Sequence, residues 1–150
     1  MKIKVILLSI IVMIISCNTG KLSENCVAGY LDSVILRWGG HNLKTNYISG
    51  WQIDGNYDLY EIIRTGEDVD YRLKKIGKVD EQRFCRLVKL TEKNFVQIQA
   101  LNAPGDSSHF VQYINNKTNT NLRAVWNVRF KTYGSAEFRA LYDSLNLFVK

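Results

Sequence analysis

Asp106, Ser107, Ser108 and His109 place a carboxylate, two hydroxyls and an imidazole at consecutive positions. These are the residue types from which a serine hydrolase builds its nucleophile, base and orienting acid. Triads of that kind are assembled in space from separate elements, and the serine commonly stands on a strained, glycine-flanked turn of the form G-x-S-x-G. No such turn occurs in the chain. The simpler reading is a polar turn running into a strand that begins at His109. Asp54, Asn56 and Asp58 carry side-chain oxygens at the spacing of the first three ligands of an EF-hand calcium loop. The position that must be glycine is Leu59 and the one that must be a bidentate glutamate is Thr65, so the loop fails as a calcium site and reads as a hairpin turn. The only other histidine, His41, lies in neither an H-E-x-x-H nor an H-x-H setting, and no C-x-x-C is present. No metal and no cofactor are expected. Any two of the 14 acids could meet as a glycosidase pair, yet nothing in their spacing selects one, and Glu61 reads as half of an ordinary cross-strand charge pair.

A second constellation is cationic. Arg72 and Lys74 alternate with the apolar residues of one predicted strand, and Arg123, Arg129 and Lys131 with those of another. If these strands are neighbours, the five side chains form a basic sheet face suited to anionic lipid headgroups, an acidic glycan or an acidic protein. The competing reading is a wet sheet face whose charges discourage edge pairing. Trp38, Trp51 and Trp126 are expected in the core rather than on a ligand platform.

These side chains must be positioned by strands and helices whose signals run along the chain. Residues 27–38 fit a short helix giving way to a strand near Ser33, and Gly39-Gly40 is expected to end it. A strand over 47–53 leads through Asp54-Gly55, a dipeptide with a positive-φ preference, into a strand over 57–64. After a 65–68 loop, Val69, Tyr71 and Leu73 alternate with Asp70, Arg72 and Lys74, which predicts a half-buried antiparallel strand over 69–76. Asp80 opens a helix to about Asn94, with Phe84, Leu87, Val88 and Thr91 on one side. The alternation of Val96, Ile98 and Ala100 with Gln97 and Gln99 predicts a strand over 95–101, which Asn102 to Asp106 stops. Residues 110–115 and 122–131 form the clearest hairpin, and Ser135 is expected to cap a final helix striped by Phe138, Leu141, Tyr142, Leu145 and Phe148. Strand, polar loop, strand and helix thus follow one another twice, in 57–94 and in 109–148. An α+β domain follows, an antiparallel sheet with helices packed on one face and a duplicated strand-strand-helix unit.

The N-terminus has a different character. Lys2 and Lys4 precede an apolar run over 5–15 and the small residue Ser16, the anatomy of an export signal and too short to span a bilayer. Ile14-Ile15-Ser16-Cys17 resembles the lipobox of bacterial lipoproteins. That resemblance implies that Cys17 is acylated and becomes the first mature residue, usually carrying a diacylglycerol and a palmitate-type chain, with the membrane as a partner through this anchor. Residues 1–16 are then the signal peptide, 17–25 a lipidated tether and 26–150 a single α+β domain. Asn18 is not the inner-membrane retention aspartate of enterobacterial lipoproteins, so the expected address is the bacterial cell envelope, periplasm-exposed or surface, with the outer membrane favoured over the inner. Lysines 2 and 4 leave with the signal, so the formal charge of +6 falls to +4. That excess is too mild for a nucleic-acid interface.

With Cys17 on lipid, Cys26 and Cys85 remain, and export permits a disulfide between them. It would close a loop of about 60 residues, worth about 4 kcal/mol on the chain-entropy account; two buried thiols are the alternative. The pattern over 31–148 resembles small domains of unassigned function that recur in bacterial envelope lipoproteins, and this resemblance imports no active site. The expected function is a non-catalytic, protein-binding envelope module, an inhibitor, immunity factor or accessory subunit. The alternatives are an envelope hydrolase, which needs an acid- or His109-lined cleft, and a lipid- or glycan-binding lipoprotein, which needs a large apolar cavity between sheet and helices.

Overall fold

The structure is a computed structural model and describes residues 29–98 and 101–149. The signal segment 1–16, Cys17, the tether and Cys26 lie outside the described residues. Seven strands, β1 (Val34–Asn42), β2 (Tyr47–Ile53), β3 (Asp58–Arg64), β4 (Arg72–Lys78), β5 (Asn102–Ala103), β6 (Ser107–Asn115) and β7 (Thr120–Asn127), form one sheet with helices α1 (Glu81–Ile98) and α2 (Ala136–Phe148). The order across the sheet is β4-β3-β2-β1-β6-β7-β5, antiparallel except where the two-residue β5 runs parallel to β7. The α+β class stands as expected. The strand-strand-helix order also recurs, as β3-β4-α1 and β6-β7-α2, with the two hairpins on opposite flanks of β1 and β2.

Alternation builds the centre. Val34, Leu36 and Trp38 of β1 are fully buried on the helix side, joined by Ile53, Val111, Ala124 and Trp126 from neighbouring strands. Phe84, Val88 and Phe95 from α1 and Phe138, Leu141 and Leu145 from α2 close over them. Side chains from the sheet and from both helices thus pack into one core.

Five expectations are corrected. Gly39-Gly40 does not end β1, which runs on to Asn42. Gly39 faces Gly50 across the β1–β2 ladder, and a Cβ on Gly39 would lie 2.1 Å from the Ser49 carbonyl oxygen; the glycine permits a close backbone approach inside the sheet. At the β2–β3 turn the positive φ falls on Tyr57 (63°), not on Gly55, whose missing Cβ makes room for the Asp32 carbonyl. Asp54 Oδ1 accepts from the amides of Asn56 (3.0 Å) and Asp58 (3.2 Å), an Asx turn that accounts for the acids there.

The strand expected over 69–76 begins at Arg72 and is not half-buried. β4 is a sheet edge that the helices do not cover, leaving Val69 90%, Leu73 50% and Ile76 46% exposed. Residues 95–98 are helix. Asp80 Oδ1 accepts the Arg83 amide at 3.0 Å, and from that cap the buried positions Phe84, Leu87, Val88, Thr91, Phe95 and Ile98 keep one helical stripe to the end of α1. The shorter alternation after Phe95 lost to it, because burying the stripe against the sheet outweighs local strand preference. Cys85 lies in the same stripe, 3% exposed. Ser135 precedes α2 without capping it, since its Oγ donates to the Thr132 carbonyl at 2.9 Å.

Candidate functional site

The sheet face turned away from the helices carries an arginine cluster. Residues that alternate with the core positions project there, and the register lines them up in rows: Arg37 opposite Gln52 and Gln112, Gln112 opposite Arg123, Gln52 opposite Tyr60. The adjoining row is apolar, with Ile62 opposite Gly50, Gly39 opposite Phe110 and Phe110 opposite Val125. Beyond it Ile48 pairs with Arg64 and with His41. Gly39 and Gly50 give the apolar row no side chain, and Tyr71, from the loop before β4, packs against its flanking residues Ile48, Ile62, Phe110 and Val125.

Three guanidiniums converge on this patch. Arg37 lies 4.8 Å and Arg64 5.4 Å from the centre of the Tyr71 ring, and Arg123 lies 4.7 Å above Phe110 with its head bonded to Tyr71. Arg37 Nε donates to Gln52 Oε1 at 2.6 Å. The buried Nε atoms of Arg64 and Arg123 and the Oε1 of Gln112 have no hydrogen-bond partner among the described residues. Among the described residues no carboxylate pairs with any of the three arginines, and the ion pairs use Lys44, Arg72, Lys74, Lys75 and Lys78. Burial, reinforced by repulsion within the cluster, pulls the Arg37 and Arg123 guanidiniums below their ordinary range, although an arginine keeps its proton. His41 is pulled down by burial and by the same neighbours. Converging donors, aromatic faces and missing counter-charge suit an oxyanion, above all a planar carboxylate.

The five cations expected to share a face do not. Glu61 pairs with Trp51 and with Lys74 across the ladders, which puts Arg72 and Lys74 on the helix side of edge strand β4, where they pair with Asp68 (3.0 Å) and Glu61 (3.9 Å). Arg123 projects from the opposite face, five strands away. Arg129 and Lys131 follow the end of β7 and are exposed. Only Arg123 belongs to the cluster. Arg37 and Arg64 are not among the five; the signal for Arg37 is its place between inward Leu36 and Trp38, whereas nothing local marks Arg64.

The other candidates separate. Ser108 faces away from the helices, its Oγ engaged by Gly105 N (2.8 Å) and Gly105 O (3.0 Å), while His109 projects toward α2 and stacks on Tyr142 at 4.0 Å. Asp106 pairs with Lys44. No triad forms. Asp58 is engaged by Lys75 (2.6 Å) and Lys78 (3.7 Å), and no group of three or more His, Cys, Asp or Glu gathers among the described residues. Likewise, among them no helix is long and apolar enough to cross a membrane.

No family model matches the chain, and no curated protein matches it. The site must be judged on its own chemistry.

The loop that delivers Tyr71 is held by Asp68, which accepts from Thr65 N (3.1 Å), Thr65 Oγ1 (2.7 Å) and Arg72 Nη2 (3.0 Å). These bonds, Thr65's hydroxyl foremost, hold its carboxyl at about 2. A depressed folded pKa means that the contribution to stability is fully present above the unfolded value of about 3.9 and is lost as pH falls toward 2. We expect the Asp68 carboxyl to titrate near pH 2 by NMR, with the Tyr71 ring signals shifting over the same interval and losing that response in Asp68→Asn. A midpoint in the ordinary aspartate range would show that the loop is not held this way.

Proposed function

We propose that the chain is a lipid-anchored bacterial envelope protein that binds an acidic partner protein, without catalysis, through the Arg37/Arg64/Arg123 face. The single observation that carries this reading is the convergence of three guanidiniums with no carboxylate among the described residues. A partly buried cation without a partner is costly, and a protein that presents Asp or Glu side chains offsets that cost with bidentate, charge-assisted bonds. Arginine and tyrosine are also the residue types that dominate binding energy at interfaces. Inhibition, immunity or service as an accessory subunit are the roles such a face suits. The anchor rests on the lipobox-like Ile14-Ile15-Ser16-Cys17; a bridge between Cys26 and Cys85, the latter buried in the α1 stripe, belongs to the same exported reading.

A photo-crosslinking residue at Leu73, half exposed and on the arginine side of β4 by its pairing with Ile62, tests both parts in cells. The expected result is one discrete crosslinked protein in the membrane fraction. It should disappear in the Arg37→Gln/Arg64→Gln/Arg123→Gln variant, checked by circular dichroism to be folded, and Cys17→Ser should move the protein out of that fraction. With the partner purified, each single substitution should weaken binding about tenfold or more. A crosslink that survives the triple variant, or recovery of the protein alone, overturns the binding face; unchanged fractionation of Cys17→Ser overturns the anchor.

A further inference from the structure

The helix side of the sheet holds a second surface that the arginine face does not use. A groove of about 270 Å³ lies between α2 and strands β1 to β3. Its floor is nearly bare backbone: Gly40 pairs with Ser49 across the ladder, and a Cβ on Gly40 would meet nothing within 4 Å. Unlike Gly39, Gly40 is therefore not required by packing, and its lack of a side chain leaves room. Trp51 and Tyr142 wall the groove, and Glu61 and Asn146 complete it. Tyr142 is fixed between two rings, stacked on His109 at 4.0 Å and facing Phe138 at 6.2 Å, each nearly parallel to it. Glu61 is only loosely engaged, with Lys74 Nζ at 3.9 Å and both side chains well exposed, a contact worth little in water.

The chemistry narrows the ligand. Glu61 disfavours phosphate, the groove is too small and too polar for an acyl chain, and its acids do not gather to hold a metal ion. The Trp51 ring offers a face for C–H groups, a carboxylate accepts from adjacent hydroxyls, and the Asn146 amide and Ser49 hydroxyl both donate and accept. Amphipathic, polyhydroxylated and ring-sized describes a sugar. We propose that this groove binds one neutral pyranose ring, such as a hexose or N-acetylhexosamine unit of an envelope glycan, stacked on Trp51 with its hydroxyls on Glu61 and Asn146.

Trp38 is fully buried and Trp126 is 8% exposed, so Trp51 is the natural reporter. Glucose, galactose and N-acetylglucosamine are titrated separately into the purified full-length protein in detergent while the Trp51 indole N–H signal and tryptophan fluorescence are followed. A saturable shift with at least one sugar, at a dissociation constant of about 1 mM, is expected. Gly40→Val, which places its side chain in the open floor without strain, should abolish the shift, and Glu61→Gln should weaken binding about tenfold. Arg123→Gln lies on the opposite face and should leave sugar binding unchanged, so this groove and the arginine face stand or fall separately. No shift with any of the three sugars, a shift indifferent to Gly40→Val, or an equal response to methylammonium chloride would overturn the proposal.

Discussion

Gly39→Val is expected to destabilise the fold by about 3 kcal/mol or more, enough to threaten folding of a domain whose total stability is of order 5 to 15 kcal/mol. The first atom added would lie 2.1 Å from the Ser49 carbonyl oxygen and 2.6 Å from the Gly50 Cα. Both are backbone atoms. They cannot swing aside as a side chain would, because Gly39 is also paired to Phe110 on its other flank and Gly50 to Ile62, so relief requires parting strands in the middle of a seven-stranded sheet. Gly40→Val is the control one residue away: its Cβ meets nothing, and valine suits a strand, so the change should fall within about 0.5 kcal/mol. Urea unfolding measures both, provided that the slope m is unchanged. Equal losses at the two positions would mean that the close approach of β1 and β2 is not the reason for Gly39.

Phe95→Ala is expected to cost about 3 to 5 kcal/mol, while Val96→Ala changes stability by less than about 0.5 kcal/mol. Phe95 is 2% exposed within the main core and Val96 is 75% exposed. The pair separates helix from strand sharply. On a strand with Val96 and Ile98 inward, the two costs would exchange places; along a helix, Phe95 continues the stripe of Phe84, Val88 and Thr91, and Val96 faces water. Equilibrium unfolding of the two variants decides it, and a Val96→Ala loss as large as that of Phe95→Ala would sink the helical assignment. The consequence reaches the functional face indirectly, because α1 covers the side of the sheet that buries Leu36 and Trp38 and so presents Arg37 to the other.

Several elements were legible from local pattern. β2 over 47–53, the β6–β7 hairpin, the stripe of α2 and the burial of Trp126 follow from periodicity and turn residues, since one face of each element is buried and the period records which. The misreadings share a physical origin. Alternation around Tyr71 and Leu73 suggests half-burial, but period two marks a strand without saying whether anything covers it, and β4 lies at an edge. Gly39-Gly40 suggests a stop because glycine is usually punctuation, and the role of Gly39 as a point of close strand approach needs a partner, Gly50, eleven positions away.

The candidate site shows the same division. Sequence pointed to cations on a sheet face and named Arg123 among them; it could not select Arg37 and Arg64, because which side chains become neighbours depends on strand order and register, set by pairings between distant segments. What the residues determined by themselves is an α+β chain with two strand-strand-helix units and no local catalytic motif. The tertiary structure alone decided that Ser108 and His109 face opposite sides of the sheet, that Arg72 and Lys74 part from Arg123, and that three arginines meet around Tyr71 with no carboxylate paired to them among the described residues. Periodicity is a property of one element, whereas a site is a property of the register between several.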